Sequence, residues 1–154
     1  MSEAIDASGR KTAAAKLYSP QLLGLATQLA NFPLTQDLPH AHEARSRTCG
    51  STVTVGLKLG EGDAIERIGC KVSACAVGQA AAAIMASDIK GRTLADVQRA
   101  LSQIEGWLKE GGNAPEWPSF DALLPVLPHA GRHGALLLPW QAALGALSIS
   151  EAAS

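Results

Sequence analysis

From Thr52 to Leu59 the chain alternates: Val53, Val55, Leu57 and Leu59 fall on one side, and Thr52, Thr54, Gly56 and Lys58 on the other. That period is the signature of a half-buried strand. Gly60-Glu61-Gly62-Asp63 reads as a hairpin turn, and the return strand, Ala64 to Ala74, sets Ile68, Cys70, Val72 and Ala74 on one face. At Ala76 the period changes. Residues 76–89 are apolar at helical spacing and small throughout, which predicts a helix pressed closely on the sheet and ended by Gly91. Thr93 followed by Asp96 resembles a capping box, and Leu94, Val97, Leu101, Ile104 and Leu108 form the stripe of the helix it opens. Upstream, Ser19-Pro20 reads as the N-cap and first turn of a short helix, striped by Leu22, Leu23, Leu25, Ala26 and Leu29 and stopped by Pro33. Leu34 to Thr48 reads as a loop. Gly111, Gly112, Pro115 and Pro118 break the chain before a last helix, expected from Leu138 to Leu147 with Pro139 in its first turn. A helix, a hairpin and a series of helices make an α+β domain, expected over residues 18–150 behind a flexible lead, 1–17.

Composition narrows the chemistry. Hydrophobic residues make up 47% of the 154 positions but aromatics only 4%, so the core is aliphatic and rich in alanine. Thirteen basic residues against fourteen acidic ones leave no charge excess to attract nucleic acid or an anionic membrane. Met1 to Lys16 carries Glu3, Asp6, Arg10 and Lys11 without the apolar run of a signal peptide. Ala80–Ala86 and Ala135–Trp140 are too short to span a bilayer. The expectation is a soluble cytoplasmic protein with neither nucleic acid nor membrane as partner.

The three cysteines are too few, and odd in number, for a secreted disulfide framework. Cys49 precedes the first strand, and Cys75 follows the second and begins a helix. If the strands are antiparallel, the start of one lies beside the end of the other, and the two sulfurs approach at one edge of the sheet. At a helix N-terminus, unpaired amides and the helix dipole favour thiolate, the form that binds metal or attacks sulfur. Each cysteine alone reads equally well as a small core residue; the pair is what points to metal or sulfur chemistry. Cys70 is in phase with Ile68 and Val72, faces the core, and lies about 16 Å along the strand from Cys75. No Ser/His/Asp set, phosphate loop or paired-carboxylate pattern emerges, so an enzyme is not expected.

Together, Cys49-Gly50-Ser51 before a strand, Cys75 after its partner, the small-residue helix Ala80 to Met85, and Lys90-Gly91-Arg92-Thr93-Leu94 form a recognisable series. From Thr48 to Val97 the chain resembles the NifU/IscU-type iron–sulfur cluster assembly scaffolds, including the SufU-like branch. Leu17-Tyr18-Ser19-Pro20 is similar to the opening helix of that family. The resemblance implies a small antiparallel sheet of about three strands with helices packed on one face, the NifU N-terminal/SufE-like architecture. It implies a scaffold binding iron, a labile Fe–S cluster or zinc through Cys49 and Cys75. It also implies a cysteine desulfurase and the Fe–S assembly machinery as partners.

The departures are specific. Family members hold their cargo with three cysteines and an aspartate. The aspartate's position is Ser51 here, and alignment on Arg132 and Trp140 puts Ala135 where the third cysteine would be. His133, just before that position, is the best third metal-ligand candidate, weighed against a surface or capping histidine in a glycine-rich loop. His40 and His42 could fold over the site from the preceding loop, although a solvated loop accounts for them as well. With half the ligand set gone, cargo would be held weakly or would bridge a homodimer in which each subunit gives two thiolates. Two rival readings are a metal-free sulfur-relay accessory of the SufE type, carrying persulfide on Cys75 as its one activated thiol, and a degenerate interaction module.

Overall fold

The computed structural model describes residues 17–47 and 49–153. The lead expected over 1–17 therefore lies outside the described residues except for Leu17, which is buried. Helix α1 spans Pro20–Thr27, with Ser19 as its N-cap: the Leu22 N–H donates to the Ser19 hydroxyl at 3.1 Å. A 3₁₀ turn, Gln28–Asn31, carries the chain out of it. Strands β1 (His40–Arg45), β2 (Thr52–Leu59) and β3 (Ile65–Ser73) form one antiparallel sheet in the order β1-β2-β3. Helix α2 spans Ala76–Asp88, α3 Leu94–Glu110 and α4 His133–Ala153. The α+β architecture with a three-stranded antiparallel sheet is the one expected.

Val53, Val55 and Leu57 of β2 are fully buried, and the register sets them beside Val72, Cys70 and Ile68 of β3. Each such side chain contributes about 1.5–3 kcal/mol by leaving water. Helices α2 and α4 cover this face. Helix α2 is buried along most of its length, with alanines at 80–83 and 86, and so lies close to both the sheet and α1. Helix α3 starts at the anticipated capping box: Thr93 N–H donates to the Asp96 carboxylate at 2.9 Å and the Thr93 hydroxyl accepts from Asp96 N–H. Between α3 and α4, Trp117 and Phe120 meet Trp140 edge-on, and Phe120 meets Trp107 in the same way.

The opposite face is covered at one end by the segment after the 3₁₀ turn. Cys70 N–H donates to Phe32 O at 2.8 Å, which brings the backbone of this segment onto β3. A Cβ on Gly69 would stand 2.3 Å from Pro33 O, so this approach requires glycine. Asp37 then ties the segment down through an ion pair with Arg67 at 2.6 Å.

Two expectations are corrected. The loop foreseen over Leu34–Thr48 contains β1, an edge strand whose outward Ala41, Glu43 and Arg45 are exposed and whose His40, His42 and Ala44 are only half-buried. With alanine as its only apolar residue type, it shows no hydrophobic alternation. The last helix begins at His133, not Leu138, so Pro139 sits at its seventh position. Proline has no N–H for the carbonyl of Ala135. The helix continues through it because Ala135, Leu136, Leu138, Trp140, Ala142 and Ala143 are all buried. Among the described residues no helix is long and apolar enough to cross a membrane.

Candidate functional site

The β1–β2 connection, residues 46–51, is closed by a hydrogen bond from Ser46 N–H to Ser51 O at 2.9 Å. Gly50 takes the left-handed conformation at φ +70°, which lets the chain reverse in so few residues. The loop presents Cys49 at its tip, exposed to solvent. Thr52 pairs with Arg45 on one side and Ser73 on the other, so this loop and the end of β3 share one end of the sheet. Cys75, just past Ser73, is the N-cap of α2; its carbonyl accepts from Gln79 N–H at 3.0 Å, while its side chain makes no capping bond. Both thiols open on one cavity of about 340 Å³, also walled by Ser51, Ser73, Arg132 and Ala135. Arg132 ends the 3₁₀ turn Ala130–Arg132, and Ala135 lies in the first turn of α4.

The Cys49 sulfur lies 3.3 Å from Ser46 Oγ and 3.1 Å from Ser51 Oγ, and both serines are buried. As a thiol, Cys49 donates to Ser46; as a thiolate, it accepts from the reoriented hydroxyls. Hydrogen bonds to the charged form lower a pKa. Those from Ser46 and Ser51, helped by Ser51 N–H and the charge of Arg132, bring Cys49 from 9.0 down to about 7. Residue spacing does not reveal this cradle, in which Ser51 stands at the position of the lost carboxylate and acts through its hydroxyl. Two serines flanking a Cys-Gly in a short strand connection are the signal that could have found it.

Cys70 is in the core, as its phase predicted, and loss of solvation pushes its thiol up to about 12. His133 is not on the cavity wall; it is the first residue of α4, with Nε2 hydrogen-bonded to Leu127 O at 2.8 Å. His40 and His42 lie in β1, not in a loop over the thiols, and the His42 ring rests against Gly145 of α4. Among the described residues, no three histidine, cysteine or carboxylate side chains gather as a metal site. Tetrahedral zinc or cluster iron takes four ligands. The cavity supplies two thiols, and neutral serine hydroxyls are poor substitutes for the rest. The donor set therefore fits half of such a centre.

No family model and no curated protein matches the sequence. Solved structures do. The chain is similar to the N-terminal part of a nitrogen-fixing NifU-like protein from Brucella abortus, at 28% identity and TM-score 0.84, over 93% of this chain and all of that one. Its fold is also that of FiSufU from Fervidobacterium islandicum AW-1, assigned as an iron–sulfur cluster assembly scaffold protein for the SUF system. That match has 22% identity and TM-score 0.70, over 85% of this chain and 96% of that one. With the three-stranded sheet, the helices on one face and the two-cysteine cavity in view, the chain is similar to the NifU- and SufU-type scaffold proteins and shares their architecture.

Proposed function

We propose that this protein is a scaffold-like component of iron–sulfur cluster assembly. It holds iron, a labile cluster or zinc as cargo between Cys49 and Cys75, and does not turn over a substrate by itself. One observation carries this reading: two cysteines distant in sequence open on the same cavity, at the end of a sheet shared with NifU-like proteins. Because the chain offers only half the ligands, the cargo is held with donors from outside it and is readily released. A cysteine desulfurase as sulfur source, the rest of the assembly machinery as recipient and the cytoplasm as compartment belong to the same reading. Anaerobic addition of iron and sulfide to the reduced protein should produce bound iron and visible charge-transfer absorption. Both should fall away in Cys49→Ala and in Cys75→Ala. Metal uptake indifferent to both substitutions would refute the reading.

The lowered pKa of exposed Cys49 favours a second reading, sulfur relay without metal, with Cys49 as the carrier in place of the Cys75 expected from the sequence. The Cys49 thiolate attacks the terminal sulfur of a donor persulfide. A new S–S bond forms on Cys49, and the donor cysteine leaves as its thiolate. Mass spectrometry after incubation with a desulfurase and cysteine would then find one extra sulfur on Cys49 in protein free of metal. Its absence there, with metal bound through both thiols, leaves the scaffold reading alone.

A further inference from the structure

Beside the cavity, the sheet face that turns away from α2 and α4 is covered only in part. Its rows run Lys58–Arg67, Ala41–Gly56–Gly69, Glu43–Thr54–Lys71 and Arg45–Thr52–Ser73. The segment 32–38 lies over the first two rows: Leu34 and Leu38 fill the space beside Gly56, and Pro33 O that beside Gly69. The last two rows are open, with Glu43, Arg45, Lys71 and Ser73 exposed and two half-buried threonines between them. Ser73 also lines the cavity, so this shelf runs up to the lip from which Cys49 and Cys75 open. Charge divides the face at the same place. At the covered end each cation has its counter-ion: Arg67 meets Asp37 at 2.6 Å and Lys58 meets Glu66 at 3.2 Å. At the open end Arg45 has only an exposed contact of 3.5 Å with Glu43. Lys71, and exposed Arg47 in the adjoining loop, have no ion pair among the described residues. In a chain of net charge −1, three cations beside one acid make a local positive excess at the rim of the thiol site.

We propose that this open shelf docks the protein that exchanges sulfur or metal with Cys49 and Cys75, and that this partner presents an acidic segment next to its own reactive group. The inference rests on the reading of the two cysteines as cargo ligands. Guanidinium groups take carboxylates through paired N–H bonds, and a lysine adds a point charge. Thr52, Thr54 and Ser73 carry short hydroxyl side chains, which leave room for a carboxylate-bearing loop to lie across the sheet. Exposed charges of this kind act on the rate and orientation of encounter more than on affinity. A partner steered onto Arg45, Arg47 and Lys71 arrives at the end of the sheet where Cys49 stands at its loop tip. The paired cations at the covered end offer it no competing seat.

The test uses two short capped peptides ending in cysteine, one rich in glutamate and the other with glutamine in its place, each as a mixed disulfide with thionitrobenzoate. The full chain carries Cys75→Ala, so that Cys49 is the exposed thiol. Its thiolate attacks the peptide sulfur, a new S–S bond joins Cys49 to the peptide, and thionitrobenzoate leaves as a coloured thiolate. The readout is the ratio of the two rates, acidic over neutral, which cancels the intrinsic reactivity of Cys49. That ratio should be roughly fivefold at low salt and fall towards one at high salt. Arg45→Gln/Arg47→Gln/Lys71→Gln should bring it close to one at low salt, and Arg47→Gln/Lys71→Gln, which spares the Arg45–Glu43 contact, should remove most of it. Lys58→Gln, at the covered end, should leave it unchanged. A ratio near one in the parent, or one that survives the triple substitution, would overturn the inference and leave the scaffold reading standing. Suppression of the reaction by a single-stranded oligonucleotide, at concentrations where a cysteine-free acidic peptide has no effect, would mark a nucleic-acid site and overturn it too. Iron and sulfur uptake indifferent to both cysteines would overturn the scaffold reading and the inference together.

Discussion

Cys49 should titrate as an activated thiol, and the two serines beside it should be the reason. With a pKa of about 7 in place of 9.0, about half of Cys49 is thiolate at neutral pH, against about one in a hundred for an ordinary cysteine. A more acidic thiol is also a weaker nucleophile. With a Brønsted slope of about 0.45, a two-unit shift slows the thiolate itself about eightfold. The product is a net gain of about sixfold in alkylation rate at neutral pH, and a plateau reached well before an ordinary thiol levels off. Iodoacetamide labelling across the pH range, with Cys49 and Cys75 resolved by peptide mass, measures both. Ser51→Ala should move the midpoint upward, and Ser46→Ala/Ser51→Ala should bring it close to 9.0. The stability linkage has the same origin. A folded pKa below the unfolded one favours the native state fully above 9.0, and that contribution fades as pH falls through about 7. A wild-type midpoint near 9, or one indifferent to both serines, would refute the account of this loop.

Other expected outcomes concern the frame that carries the site. Gly69→Ala drives a methyl into Pro33 O and should also strain the Cys70 N–H to Phe32 O bond, costing about 2–4 kcal/mol by urea denaturation. Thr93→Ala removes the side-chain half of the α3 capping box and should cost about 1 kcal/mol in the same assay. Trp117→Phe loses its bond to Ile84 O and weakens the stacking of Arg92 on the ring, and should cost about 1–3 kcal/mol. Trp140→Phe should lie within about 1 kcal/mol of wild type, because the Trp140 Nε1–H has no partner among the described residues and its removal offsets the smaller ring.

How far the sequence revealed this fold follows from where its signals were local. Strand β2 begins and ends at the expected residues, Thr52 and Leu59, because one of its faces is sealed by helices and the other carries polar residues and a glycine. The same logic places Cys70 in the core, and the capping box marks the start of α3. Strand β1 was invisible because an edge strand is held by backbone pairing to β2, which no side-chain pattern records. The N-terminal turns of α4 were missed because Pro139 looks like a beginning, and tertiary burial on every side outweighs its lost hydrogen bond. At the site, antiparallel pairing sufficed to foresee both cysteines at one end of the sheet. Their shared cavity also depends on Arg132 and Ala135, which arrive from a distant turn and helix. The serine cradle depends on one tight loop closing upon itself, a geometry that residue spacing alone does not encode.

Sealing Cys70 inside the sheet while Cys49 and Cys75 face the cavity gives the molecule a built-in reporter of its own opening. A bulky thiol reagent at neutral pH finds two sulfurs on the native chain, and the third reacts only in molecules whose β3 has come away from its neighbours. The slow phase of labelling is therefore a direct readout of conformational breathing, free of any engineered probe. Any cargo that clamps the two outer sulfurs should lengthen it, even though it never touches the one being counted.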